Sequence, residues 1–331
     1  MLTRYIKPFI ALFIVFGLIV CMVLAYQFYS VAMKPMAIAG QKVVIEVKPH
    51  SSANSLIYDL YDRGLIERPR FLLLLIRLQG FSSHFKAGYY QINQDESATH
   101  FLHRVIAGDV MTESFQIIEG SNLAQVSRRL AEAAYLSYDP EVWTTIKANY
   151  PNAEGLLLAE TYHYAAGSDA KQLLQTANKS LLTYLDQCWQ TRDGGLPYKN
   201  AYQMLIVASI LEKESALIDE RKIISGVVIN RLKINMPLQM DPTVIYAYGS
   251  AYPGKLSHES MKIDSPYNTY RYRGLPPTPI AMVGRASLDA AAHPQANKYL
   301  YFVAKGDGSH VFSRTYEEQR QAISRYMHGE E

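Results

Sequence analysis

Two carboxylates in the segment Asn200–Ile218 (NAYQMLIVASILEKESALI) stand where acid–base chemistry is available. Asn200 and Gln203 have capping-box spacing, so a helix starts there. Glu212 and Glu214 lie about 200° apart around such a helix and point to different faces. The helical neighbours of Glu212 are Ala208, Ser209, Ser215 and Ala216, small and mildly polar; those of Glu214 are Ile210, Leu211, Leu217 and Ile218. A carboxylate among apolar groups loses hydration, its charged form is disfavoured, and its pKa rises into the range a general acid needs near neutral pH. Glu214 therefore has two readings. It is a proton donor, or it marks the edge of an apolar face and pairs with a base such as Arg221.

Either reading needs a core around that helix, and 331 residues suffice for two ordinary domains. An apolar content of 49% against 19% charged residues excludes a disordered chain. The net charge of +3 is unevenly placed: Met1–Lys42 holds Arg4, Lys7, Lys34 and Lys42 and no acid. The remainder, with 29 bases against 30 acids, is close to neutral. A nucleic-acid binder draws its affinity from cations on its folded part, so nucleic acid is not a partner. Of the two cysteines, Cys21 lies in an apolar run, so it does not staple a soluble core with Cys188. Cys188 has no obvious histidine partner and reads as a buried structural thiol.

Phe9–Tyr26 (FIALFIVFGLIVCMVLAY) is uninterruptedly apolar, and no charge occurs from Pro8 to Met33. As a helix this run reaches about 27 Å, close to the hydrocarbon thickness of a bilayer. Arg4 and Lys7 precede it, which puts Met1 in the cytoplasm and the rest of the chain outside. A cleaved signal peptide fits less well, because the small-residue site Ala37-Ile38-Ala39 lies far beyond the apolar run. The chain thus divides into a cytoplasmic N-terminus (1–7), a retained membrane helix (8–28), a tether (29–41), a first module (42–119) and a larger second region (120–331).

In the first module, Lys42–Val47 alternates as a strand and Asn54–Ile66 is amphipathic. Pro69 opens a second helix, RFLLLLIRLQG, and Ala87–Asn93 reads as another strand. This strand–helix–helix–strand order resembles a LysM-like module, a fold that often binds cell-wall glycan. Helix Ser97–Ala107, strand Ser114–Ile118 and a hinge at Glu119-Gly120 follow. The second region is helical over 121–135 and 169–190, broken at Gly194–Pro197, and ends in strands Tyr299–Ala304 and Ser309–Ser313 around a Gly-Asp-Gly hairpin turn. The fold class is α+β: one N-terminal transmembrane helix, a small LysM-like α+β module, and a mixed helix/strand catalytic domain.

Ala208–Ser215 (ASILEKES) resembles the ASIxEKE signature of the MltG (YceG-like) endolytic murein transglycosylases. The likeness continues in order through Ser83–Gly88, Leu196-Pro197-Tyr198, Val228–Leu232 and Leu238–Tyr246. It runs on through Ser265–Tyr270, Gly274–Pro277, Ala290–Pro294 and Tyr299–Ala304, and so covers nearly the whole chain after the anchor. In one stretch the chain departs from the family pattern EGxxxPDTY: Ala159 and Glu160 stand where Pro and Asp are usual.

The resemblance implies a membrane-anchored enzyme that cuts nascent peptidoglycan strands between N-acetylmuramic acid and N-acetylglucosamine and leaves 1,6-anhydro ends. It assigns catalysis to Glu214, implies no metal or cofactor, and implies glycan-polymerising synthases with penicillin-binding domains as partners. Candidate substrate contacts are Gln239, Asp241, Tyr246, Asn268, Thr269 and Tyr270. Gln239 has the choice of an N-acetyl group or local backbone. Asp241 contacts substrate or simply caps the helix begun by Pro242. Tyr267–Tyr270 offers sugar stacking or plain packing, and Leu275–Pro279 forms a rigid wall. His100 and His103 have metal-compatible spacing but no third ligand nearby in sequence. His293 ends a short helix begun at Ser287, and His310 has no assigned role. A non-catalytic glycan-binding scaffold is the alternative function. A pyridoxal-phosphate lyase is a cytoplasmic class that sits poorly with an outward-facing chain.

Overall fold

The computed structural model describes residues 3–38, 40, 42–80 and 85–327. The Ser83-His84 part of the family pattern therefore lies outside the described residues. The fold is mixed α and β and divides into two compact units, Met1–Glu113 with Ala165–Gly167, and Ser114–Tyr164 with Ser168–Glu331.

The first unit begins with α1 (Thr3–Met33), which continues through residues 29–33 that the sequence reads as tether. Its segment Ala11–Met33 is long and apolar enough to cross a membrane, and none of it is buried in the protein. Next come β1 (Val43–Val47), α2 (Ala53–Asp62), α3 (Pro69–Leu78), β2 (Gly88–Ile92) and α4 (Ala98–Ala107), and β3 (Thr112–Gln116) carries the chain on into the second unit. Strands β1 and β2 pair antiparallel, with Ile45 opposite Tyr90. The helix starts follow local chemistry: Ser52 caps α2, Pro69 opens α3, and Ser97 caps α4 through the His100 amide. The inward faces supply a core of Ile45, Ile57, Leu60, Leu72, Tyr90 and Phe101, all at most 1% exposed. His100 places Nδ1 2.7 Å from buried Glu96, which also pairs with Arg104.

The second unit contains α5 (Leu123–Ala131), β4 (Leu136–Ser137), α6 (Val142–Lys147), β5 (Thr161–Ala165), β6 (Ser168–Asp169) and α7 (Ala170–Thr191). It continues with α8 (Ala201–Glu214), α9 (Ile218–Lys233), α10 (Asp241–Tyr248), α11 (Arg285–Ala292), β7 (Tyr301–Ala304), β8 (His310–Ser313) and α12 (Tyr316–Met327). Strands β7 and β8 form the antiparallel hairpin expected from the Gly-Asp-Gly turn. Helix α8 packs against α7, α9, α10 and α11 and is buried all round from Met204 to Glu212. Its small residues, Ala208 and Ser209, belong to that interior, and the Ser209 hydroxyl accepts the Ile280 amide at 3.0 Å. A helix with no solvent face has no apolar stripe to set against a polar one. Cys188 is buried in this core, as expected, and burial raises its thiol pKa.

Candidate active site

Asn200 caps α8 by accepting the Gln203 amide at 3.0 Å, while the Gln203 side chain reaches back to the Lys199 amide. The helix is buried from Met204 to Glu212, exposes Lys213, and ends at Glu214. Ser215 takes an extended backbone, so Leu217 and Ile218 are not helical neighbours of Glu214 and are 44% and 60% exposed. The apolar surroundings read from spacing thus reduce to Ile210 and Leu211. Glu214 keeps a partly exposed edge, but its Oε2 is buried with no hydrogen-bond partner among the described residues. Burial, then the negative charge of Asp241, pushes the carboxyl up to about 8, and Arg231 opposes the rise.

Arg221 does not neutralise Glu214. Its Nη2 lies 3.0 Å from Oε1 of Glu212, both side chains being buried. Glu212 Oε2 accepts the Gly284 amide at 2.9 Å, and Arg221 donates further to the Ser215 carbonyl and the Ser287 hydroxyl. Glu119 lies beside Gly284: a Cβ there would come within 1.9 Å of its Oε1, so a larger residue would displace the Glu119 side chain. Burial and the Glu212 charge raise the Glu119 pKa. Glu212 is therefore a buried structural anion, not the occupant of a mildly polar face.

Arg231, 5% exposed on α9, reaches forward with Nε to the Leu300 carbonyl (2.6 Å) and with Nη1 to the Leu238 carbonyl (2.5 Å). It thereby fixes the segment leading into α10. Asp241 opens that helix, but the cap is Met240, and no side chain bonds the cap. The capping role read for Asp241 is thus corrected: Oδ1 of Asp241 instead accepts the Tyr270 hydroxyl at 2.5 Å. Burial and that contact raise the Tyr270 pKa, with a further contribution from the charge of Glu214. Glu214, Arg231, Asp241 and Tyr270 form one electrostatically coupled group.

Gln239 stands beside this group with φ +51°, an uncommon conformation for a residue bearing a Cβ. Its amide bonds the Thr269 carbonyl at 3.1 Å, its neighbours Leu238 and Met240 are fully buried, and its side chain is exposed. Strain of this kind persists only where surrounding contacts over-determine it.

Asn268 and Thr269 are 0% and 1% exposed, which corrects the expectation that they touch substrate. Asn268 Nδ2 donates to the Met261 and Ile263 carbonyls at 2.8 Å, and Oδ1 accepts the Tyr270 amide. Thr269 Oγ1 accepts the Met240 amide at 2.9 Å and meets Thr243 Oγ1 at 2.8 Å. Their hydrogen-bonding capacity is committed to the turn that presents Gln239 and Tyr270. Tyr246 directs its hydroxyl to Glu154 Oε2 at 3.0 Å, and its ring lies 4.9 Å from that of Tyr267.

Glu154 is a residue that sequence reasoning missed. It is 3% exposed and accepts the Leu123 amide with both oxygens, at 3.0 and 3.1 Å, at the N-terminus of α5. Burial pushes its pKa up to about 7, against the bonds from Leu123, Tyr246 and Gly155. The available signal was an acid heading an unbroken apolar run, Gly155–Ala159. The departures at 159 and 160 also have local explanations. The Ala159 amide donates to the Val283 carbonyl at 2.9 Å, a bond proline cannot make, and Glu160 pairs with Arg285 at 2.7 Å. His310 sits 2.6 Å from Glu220, and His293 caps the end of α11. Among the described residues no three His, Cys, Asp or Glu side chains converge as metal ligands. Among the described residues the arrangement offers one carboxyl, Glu214, that is protonated near neutral pH and has a buried oxygen with no hydrogen-bond partner.

The family model that matches the chain is the YceG-like family, over residues 45–325. An endolytic murein transglycosylase of Bacillus subtilis is 30% identical over 311 residues, covering 86% of this chain and 85% of that protein. One from Streptococcus pneumoniae serotype 2 is 23% identical, covering 98% of this chain and 66% of that protein. The crystal structure of a YceG-like protein from Listeria monocytogenes aligns with TM-score 0.53 and 27% identity, over 85% of this chain and 99% of that one.

Proposed function

The chain belongs to the YceG-like family, and on that premise we propose that it is an endolytic murein transglycosylase, a lyase in which Glu214 moves the proton. The observation that carries the assignment of Glu214 is the contrast with its neighbour: Glu212 is consumed by Arg221 and the Gly284 amide, whereas Glu214 Oε2 is buried and unbonded. Protonated Glu214 gives its proton to the glycosidic oxygen between N-acetylmuramic acid and N-acetylglucosamine as the C1–O bond breaks. The muramic acid 6-hydroxyl then bonds to C1, and its proton passes to ionised Glu214. The products are a free 4-hydroxyl and a 1,6-anhydro end, no water is consumed, and the acid is restored. A retaining hydrolase would need a second carboxylate about 5–5.5 Å from the first as nucleophile; this route needs none.

The coupled group supports that cycle. Asp241 favours the protonated form of Glu214 and Arg231 moderates the ionised form. Gln239 and Tyr270 are the polar and aromatic groups offered to sugar. The βααβ order of the first unit supports a LysM-like glycan contact. Helix α1, charge-free from Pro8 to Met33 with Arg4 and Lys7 before it, supports a single-pass anchor in the cytoplasmic membrane, with the N-terminus inside and catalysis outside. Cutting nascent strands there terminates their elongation next to the glycan synthases.

Digestion of purified sacculi by the full chain, with products read by mass spectrometry, tests this function. Anhydro-muramic ends are expected. Hydrated reducing ends would make the protein a hydrolase, and no release would make it a scaffold.

A further inference from the structure

Helix α3 buries Leu72, Leu73, Leu75 and Ile76 in the first unit, yet its other side is not polar. Phe71, Leu74 and Leu78 are 40%, 55% and 76% exposed, and their spacing puts them on one outward stripe. Arg68, Arg70 and Arg77, all exposed, flank it. The acid beside them, Glu67, is already held 2.6 Å from Lys34, and that pairing lowers its pKa. The arginines therefore rim the apolar strip with positive charge, which Glu67 tempers at Arg68.

The position of this strip is set by α1. Helices α1 and α3 pack together around a cavity of about 320 Å³, lined by Tyr26, Ser30 and Lys34 from one side and by Glu67, Arg68 and Leu72 from the other. Counted from Pro8 at about 1.5 Å per residue, a hydrocarbon layer of about 30 Å ends near Phe28. Tyr29 to Lys34 then occupy the outer interfacial layer, where tyrosine and lysine are favoured. The start of helix α3 packs against those residues, which brings the head of its apolar stripe close to headgroup depth.

We propose that α3 is a second membrane contact, in which Phe71, Leu74 and Leu78 enter the interfacial layer of the outer leaflet and Arg68, Arg70 and Arg77 engage anionic lipid phosphates. The inference rests on α1 being a retained anchor. An apolar face rimmed by arginines matches an anionic bilayer surface, and the contact holds the first unit in one attitude on the membrane instead of swinging on a single helix.

The test uses the full chain carrying Cys21→Ser, with a bimane label on Leu74→Cys or, separately, on Leu18→Cys. Each is reconstituted in phosphatidylcholine vesicles containing phosphatidylglycerol, with doxyl lipids as membrane quenchers and iodide as the aqueous quencher. The Leu74 label should be quenched at least twofold by doxyl lipid and shielded from iodide. Arg70→Glu with Arg77→Glu should at least halve that quenching and leave the Leu18 signal unchanged. Lipid quenching at Leu18 with none at Leu74 would overturn this proposal and leave the anchor standing. Loss of quenching at both would overturn the anchor reading and the proposal with it. Leu74 quenching indifferent to the arginine reversals would overturn the lipid-phosphate contact.

Discussion

The Arg221 guanidinium lies 3.0 Å from Oε1 of Glu212, not beside Glu214, two residues further on. This ion pair is inside the second unit, and the Gly284 amide takes the other Glu212 oxygen. One glutamate of the pair is thereby built into the structure, and the other retains a carboxyl oxygen with no partner among the described residues.

Glu212→Gln is accordingly expected to act on stability. Removing one partner of a buried ion pair leaves the other charge uncompensated and costs about 3–5 kcal/mol. Urea unfolding followed by circular dichroism should show a clearly lower midpoint. A midpoint equal to the parent's would mean that the Arg221 pairing contributes nothing.

Glu214→Gln should do the reverse, with a defined pH dependence. The folded-state pKa of about 8 lies above the ordinary value of 4.5, so between those pH values the folded protein keeps a proton that the unfolded chain releases. Parent stability therefore falls as pH rises through this window and levels off above about 8. The glutamine variant lacks that loss. Its advantage should be near zero below pH 4.5 and reach a few kcal/mol, at most about 5, above pH 8. Thermal midpoints measured from pH 4 to 9 check this, and a gap between the two proteins that does not widen with pH would refute it.

Asp241→Asn tests the electrostatic coupling without removing the acceptor for Tyr270. The Asp241 charge raises the pKa of Glu214, so its loss should lower that pKa. Activity needs protonated Glu214, and the alkaline limb of the rate profile should move to lower pH. An unmoved limb would show that the two carboxyls do not communicate.

Much of this arrangement was legible in the residue order. Asn200 and Gln203 marked the start of α8, Ser97 and Pro69 marked α4 and α3, and the Gly-Asp-Gly turn marked the last hairpin, because caps and turns are local devices. What spacing alone could not convey was where α8 stops. Reading it through Ile218 surrounded Glu214 with Leu217 and Ile218, which in fact are exposed beyond the helix end. Partners distant in sequence were equally invisible. Glu212 meets Gly284, Tyr246 meets Glu154, and Asn268 spends its amide on carbonyls of an irregular segment, contacts that only tertiary packing creates.

Gln239→Gly separates backbone strain from side-chain contact. Glycine adopts φ +51° without a Cβ penalty but loses more entropy on folding, so the unfolding free energy should stay within about 1 kcal/mol of the parent's or rise. If the exposed amide contacts glycan, KM should rise at least several-fold with kcat less affected. Unchanged KM would remove Gln239 from the substrate contacts.

The central claim is tested most directly by the rate at which Glu214→Gln forms anhydro-muramic ends from sacculi. Glutamine keeps the size and hydrogen-bonding capacity of the side chain but donates no proton of this kind. General acid–base catalysis contributes about 10²–10⁴-fold, so the anhydro product should fall by at least about 10²-fold while the thermal midpoint holds or rises. A folded Glu214→Gln protein that produces anhydro ends within a few-fold of the parent rate would contradict the assignment of the proton to Glu214.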